Sequence, residues 1–95
     1  MPGADVGLRY EQARLAFAGE LVRPAIAGLW PQLPPADVRI DVLDLRAVPR
    51  IDSAGLALLA RLCRRHPQAV IEGDPAGLAD LRDAYRLDDH LACAA

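Results

Sequence analysis

The stretch LDLRAVPRIDSAGLALLARL, residues 43–62, narrows most sharply what this chain can fold into. It ends an apolar strand, turns through Asp52-Ser53-Ala54-Gly55, and starts a leucine-rich helix. Ser53 is the only serine in the chain and there is no threonine. The one aliphatic hydroxyl therefore sits on the turn between a strand and a helix, either as a helix cap or as a functional group.

The remaining periodicities arrange themselves around that unit. Residues 6–12 read as a first strand. In residues 14–18, RLAFA, apolar Leu15 and Phe17 alternate with smaller or polar neighbours, the pattern of a half-buried strand that Gly19-Glu20 ends. Over 21–30, Leu21, Ala25, Leu29 and the Ile26/Trp30 pair fall at helical spacing, with Pro24 in the first turn and Pro31 closing the helix. Residues 34–37 form a loop. Residues 38–48 alternate from Val38 through Ile40 to Val42, then thicken with Leu43 and Leu45 as a strand covered on both faces does. The helix over 54–65 stops at His66-Pro67, and 69–72 make a short strand. Asp74-Pro75 then offers a capping carboxylate and a first-turn proline for a helix over 75–86, with Leu78, Leu81, Ala84 and Tyr85 on one face. The tail, 87–95, has no clear assignment. The order β-β-α-β-α-β-α on one short chain predicts an α/β fold, a small mixed sheet of about four strands with helices packed against it, as a single domain over 1–95.

Composition excludes several functions. All eleven basic residues are arginine, scattered among thirteen acids for a net charge of −2, which argues against a nucleic-acid surface. Without lysine there is no lysine-bearing phosphate loop and no Schiff base. Two cysteines, Cys63 and Cys93, and two histidines, His66 and His90, lack any metal-ligand spacing. No secretory signal and no apolar run of about 20 residues is present, so a cytoplasmic chain with reduced thiols is expected.

An enzyme reading fails on geometry. Ser53 as nucleophile needs a base within hydrogen-bond reach, yet His66 is predicted more than three turns away at about 1.5 Å per residue. His90 lies in the unassigned tail, and no GxSxG elbow surrounds Ser53. The expectation is a non-enzymatic protein with no cofactor and no metal.

A binding face is better supported. On a helical wheel Leu56, Leu59, Leu62, Cys63 and His66 gather toward the sheet, while Ser53, Ala57, Ala60, Arg61 and Arg64 gather outward, with Leu58 at the border. No acid occurs between Ala54 and Arg65, whereas an ordinary solvated helix carries mixed charge. Small residues let another backbone approach and arginines anchor interface rims. The partner-binding set is Asp52, Ser53, Ala54, Gly55, Ala57, Leu58, Arg61 and Arg64. The same position suits a switch, because a phosphoryl group on Ser53 would sit at a helix N-terminus, with Arg50 and Arg61 as candidate partners. Glu20 reads as a helix-start carboxylate on an exposed loop, and Trp30 as a core residue.

At these residues the chain resembles the STAS family, named for sulfate transporters and anti-sigma factor antagonists. The matching segments are LAFAGEL (15–21), VLDLRAVPRIDSAGLALLARL (42–62) and VIEGDPAGLADLRDAYRL (70–87), of which the Asp-Ser-Ala-Gly turn followed by Leu-Ala-Leu-Leu is the specific part. The resemblance implies a small mixed sheet with helices on one face. Within the family the chain is most similar to the short, stand-alone MlaB type, the cytoplasmic subunit of the ABC transporter that maintains outer-membrane lipid asymmetry. That implies binding to the transporter's ATPase subunit through the turn and the second helix, with Ser53 where such proteins carry serine or threonine, and contact with the permease and inner membrane only through partners. The alternative the family offers is an anti-sigma factor antagonist whose turn serine is phosphorylated by a kinase that is also the anti-sigma factor; those proteins usually continue further after the third helix. Nucleotide binding by the domain itself lacks a phosphate-cradling glycine loop. Pro49 before the turn, and Pro31 with Pro34-Pro35 after the first helix, depart from the family pattern.

Overall fold

A computed structural model describes residues 7–35 and 37–87. Strand β1 (Gly7–Glu11) pairs antiparallel with β2 (Arg14–Ala18). Gln12 and Ala13 link them with positive φ at both positions, as a two-residue hairpin turn that follows the right-handed strand twist requires. Helix α1 (Arg23–Leu29) continues into a short 3-10 turn (Trp30–Gln32). Then come β3 (Val42–Ala47), α2 (Ser53–Arg65), β4 (Val70–Glu72) and α3 (Leu78–Ala84). The sheet order is β1-β2-β3-β4, with β2, β3 and β4 mutually parallel. The described residues form the expected α/β fold, a mixed sheet of four strands with three helices, an arrangement compatible with a STAS-like domain.

The β2-α1-β3 and β3-α2-β4 crossovers step across the sheet in one direction, so their usual right-handedness sets both helices on the same face. Register aligns Leu15, Leu43 and Ile71 on that covered face. There Leu15, Phe17, Leu43 and Leu45 meet Ile26 and Leu29 of α1, Leu56, Leu59 and Leu62 of α2, and Leu78 of α3 in one core. The open face carries Arg14, Ala16, Val42, Asp44, Val70 and Glu72. Where β2 pairs β3 the register shifts between Ala16 and Ala18. The Arg46 amide within that irregularity donates to Asp44 Oδ1 at 3.0 Å, so the broken ladder leaves no orphan there.

Three expected boundaries move, each for a backbone reason. The strand over 38–48 begins only at Val42: the amides of Asp41 and Val42 both donate to the Ala13 carbonyl, and Val38 to Asp41 lie outside the ladder although Ile40 is still buried. Helix α1 starts at Arg23 because Leu21 is held as an isolated parallel bridge to Ile51. The helix expected from Asp74-Pro75 starts at Leu78, since Ala76 bridges Arg50 and Gly77 turns the chain at φ 94°. A Cβ on Gly77 would lie 2.7 Å from the Ile51 carbonyl oxygen, so both the angle and the space require glycine. Val6, Ala36, His90, Cys93 and the tail from 88 onward lie outside the described residues.

Candidate docking site

Strand β3 delivers the chain to the turn, and Asp52 organises it. The Asp52 Oδ1 atom accepts from the amides of Ala54 (2.9 Å) and Gly55 (3.1 Å), capping α2. Its Oδ2 accepts from the amide of Arg23 at 2.9 Å, the first residue of α1. One carboxylate thus ties the N-termini of two helices together. Burial on its own would push this carboxyl up, but the amides of Arg23, Gly55 and Ala54 outweigh it and hold the pKa below the ordinary aspartate value.

Gly55 fixes how closely the two segments meet. A Cβ there would collide with the Leu21 carbonyl oxygen and come within 2.6 Å of Ile51 Cγ1. The Leu21 carbonyl cannot withdraw freely, because it accepts the Asp52 amide at 3.2 Å. Asp52, Ala54 and Gly55 therefore build the turn from within, and Gly55 is buried.

The cap changes the meaning of Ser53. Sequence leaves the hydroxyl open as a cap; the cap is Asp52, and Ser53 is the first helical residue with an exposed side chain. Beyond it, Ala57, Arg61 and Arg64 are exposed and Ala60 half-buried, as the wheel places them. Leu58 does not belong to that surface. It is 1% exposed and packs in the core, so the border position on the wheel falls on the covered side.

Two aromatic residues that the sequence reading put inside instead flank this face. Trp30 is 43% exposed, and the Arg61 guanidinium carbon sits 5.3 Å from its ring centroid, a cation–π contact. A wheel of α1 centred on Val22, Ala25, Ile26 and Leu29 sets Trp30 about 90° from the buried centre at 3.6 residues per turn, a signal the residue type had overridden. Tyr85, 54% exposed, follows the last turn of α3 and, with Leu87, walls the other side. No wheel signal finds it, since it shares a face with buried Leu78. Against Tyr85 and Leu87, the residues Ser53, Leu56, Ala57 and Ala60 complete the lining of an open apolar groove of about 410 Å³.

The cations proposed for a Ser53 phosphate are elsewhere. Arg50 is paired with Glu20 at 2.7 Å, which also accounts for the Glu20 carboxylate, and Arg61 is stacked on Trp30. On the open sheet face Asp44, 8% exposed, accepts from Arg46 (2.8 and 3.0 Å) and Arg14 (3.0 Å), and Arg14 also meets Glu72 at 2.7 Å. The Arg46 side chain and amide, with Arg14, hold the Asp44 carboxyl well below the usual range. Among the described residues no group of three or more potential ligands could hold a metal ion, and no helix is long and apolar enough to cross a membrane. No protein-family model matches the sequence, and no curated protein aligns with it significantly.

Proposed function

We propose that this chain is a non-catalytic binding module of STAS type, a cytoplasmic subunit that binds the ATPase of a phospholipid-trafficking ABC transporter and supports its assembly or activity. It reaches the inner membrane through partner subunits. The family resemblance motivates the identity of the partner. The observation that carries the binding role is the groove on α2: small residues and a hydroxyl free of the capping role at its floor, exposed Tyr85 as its wall, exposed Trp30 beside Arg61 on the same helix, and no carboxylate along the helix. Exposed aromatic and arginine side chains around a small apolar floor are the residue types that carry binding energy at interfaces.

A tagged copy recovered from its native cells, with partners and the Ser53 peptide identified by mass spectrometry, tests the reading. An ABC ATPase with its permease, and unmodified Ser53, is the expected result. Ser53→Arg should then abolish ATPase binding while thermal stability stays within about 0.5 kcal/mol, because the site is exposed and the cap is untouched. Unchanged affinity would remove this face from the interface.

A second reading, the antagonist switched by phosphorylation of Ser53, draws on the same observation that the hydroxyl is exposed and free of the capping role. Arg61 lies about 12 Å further along α2 by helical rise, and Arg50 is engaged by Glu20, so a phosphoryl group would lack a ready clamp. Recovery of a kinase, with partly phosphorylated Ser53, would favour this reading over the transporter subunit.

A further inference from the structure

The arginines of this protein are distributed unequally with respect to their partners. Arg14, Arg39, Arg46 and Arg50 each form an ion pair with a carboxylate of the chain. Arg61 and Arg64, like Arg9, Arg23, Arg65 and Arg86, form none among the described residues. What sets Arg61 and Arg64 apart is that they stand on the outward face of a helix with no acid at any position from Ser53 to Arg65. The wheel sets Arg64 in line with Ser53, Ala57 and Ala60, at the far end of the groove, and Arg61 to the Trp30 side. The cation–π contact with Trp30 holds the Arg61 guanidinium in place over the ring. A cation already held in place loses less freedom when it takes a carboxylate.

We infer that the occupant of the α2 groove is an acid-flanked apolar segment of the ATPase subunit, with its apolar side against Ala57, Ala60, Leu56 and Tyr85 and its carboxylates on Arg61 and Arg64. This rests on the docking role proposed above and adds the chemistry of the partner. Charge complementarity selects the sign: two arginines that form no ion pair among the described residues, beside an apolar floor, reject a basic segment and attract an acidic one. A lipid surface fits less well. The floor is concave rather than protruding, two arginines fall short of the cluster of about four to eight that marks a lipid-binding surface, and the chain is net acidic.

The test uses the ATPase subunit that co-purifies with the tagged protein. Its affinity is measured at low and high salt for the wild type, Arg64→Glu, Arg64→Lys and Ala57→Trp, each checked for folding by circular dichroism. Expected are an affinity that falls with salt, a loss of about tenfold or more for Arg64→Glu at low salt, mainly in association rate, and near-wild-type behaviour for Arg64→Lys. Ala57→Trp fills the groove and should abolish binding. Salt-independent affinity, unchanged in Arg64→Glu but lost in Ala57→Trp, would overturn the acidic partner and leave the docking face standing. No co-purifying ATPase, or full binding by Ala57→Trp, would overturn both. Sedimentation of the wild type but not Ala57→Trp with phosphatidylglycerol vesicles would assign the face to a membrane and also overturn the inference.

Discussion

On the open side of the sheet Asp44 gathers side chains; at the base of the helical layer Asp52 gathers backbone amides. Both carboxyls are held below the ordinary aspartate value, yet what they hold differs. Besides one backbone amide, that of Arg46, the Asp44 partners are the long, solvent-reaching side chains of Arg14 and Arg46, which ion-pair with it. The Asp52 partners are three amides fixed by the starts of α1 and α2. A carboxylate satisfied by flexible arginines uses up the cations of its surface and contributes little net stability. A carboxylate satisfied by backbone orders two helices without drawing on an arginine, and among the described residues Arg61 and Arg64 form no ion pair. That difference supports the proposed assignment of docking to the helical face rather than the sheet face.

The largest expected effect comes from the joint itself. Gly55→Ala forces a methyl group into the Leu21 carbonyl and Ile51, and overpacking of this kind should cost about 2–3 kcal/mol in denaturant unfolding. If Gly55→Ala is nearly neutral, the helical layer is not seated as tightly as the comparison requires.

Next, Asp52→Ala should cost about 2 kcal/mol, the upper end for a cap because it serves two helices. Asp44→Asn should cost about 1 kcal/mol, a charge-assisted bond discounted for the exposure of its arginines. Salt separates the two: raising ionic strength should shrink the Asp44 effect and spare the Asp52 effect. Acid acts on both with the same sign. Each folded pKa is depressed, so the contribution is whole above the ordinary value of 3.8 and drains as pH falls below it toward the folded value. Thermal melts between neutral and acid pH should therefore show a smaller acid-side loss in each variant than in the wild type.

The smallest effect on folding is at the groove rim. Trp30→Ala removes the stacking of Arg61 and should cost within about 1 kcal/mol. Its effect on partner affinity should be larger, more than about fivefold, if Trp30 anchors the interface. Equal small effects on stability and affinity would make Trp30 an ordinary surface residue.

The strand-turn-helix unit was legible because its signals agree: β2 runs over Arg14–Ala18 as read, and α2 ends at His66 as the histidine-proline pair announces. Alternation at Val38 and Ile40 reported burial correctly but not pairing, since hydrogen bonding there depends on where the β1-β2 hairpin ends. The helix start at Asp74-Pro75 satisfied every local rule and lost to a tertiary one, the bridge from Ala76 to Arg50. Within the site, Asp52, Ser53, Ala57, Arg61 and Arg64 were all legible on a wheel. Leu58 was assigned outward from its border position, and only packing shows it in the core. Trp30 reads as core from residue type and Tyr85 shares a helical face with Leu78; neither signal says which neighbours are available to cover them.

The division of labour between Asp52 and Ser53 also has an evolutionary consequence. Because the neighbour performs the structural task, residue 53 can be exchanged with almost no effect on the fold, while it sits at the mouth of the surface another molecule would read. On the proposed docking role, two adjacent codons then answer to different selection, one for persistence of the domain and one for whom it meets. A lineage could rewire its associations by a single substitution at 53 without passing through an unfolded intermediate.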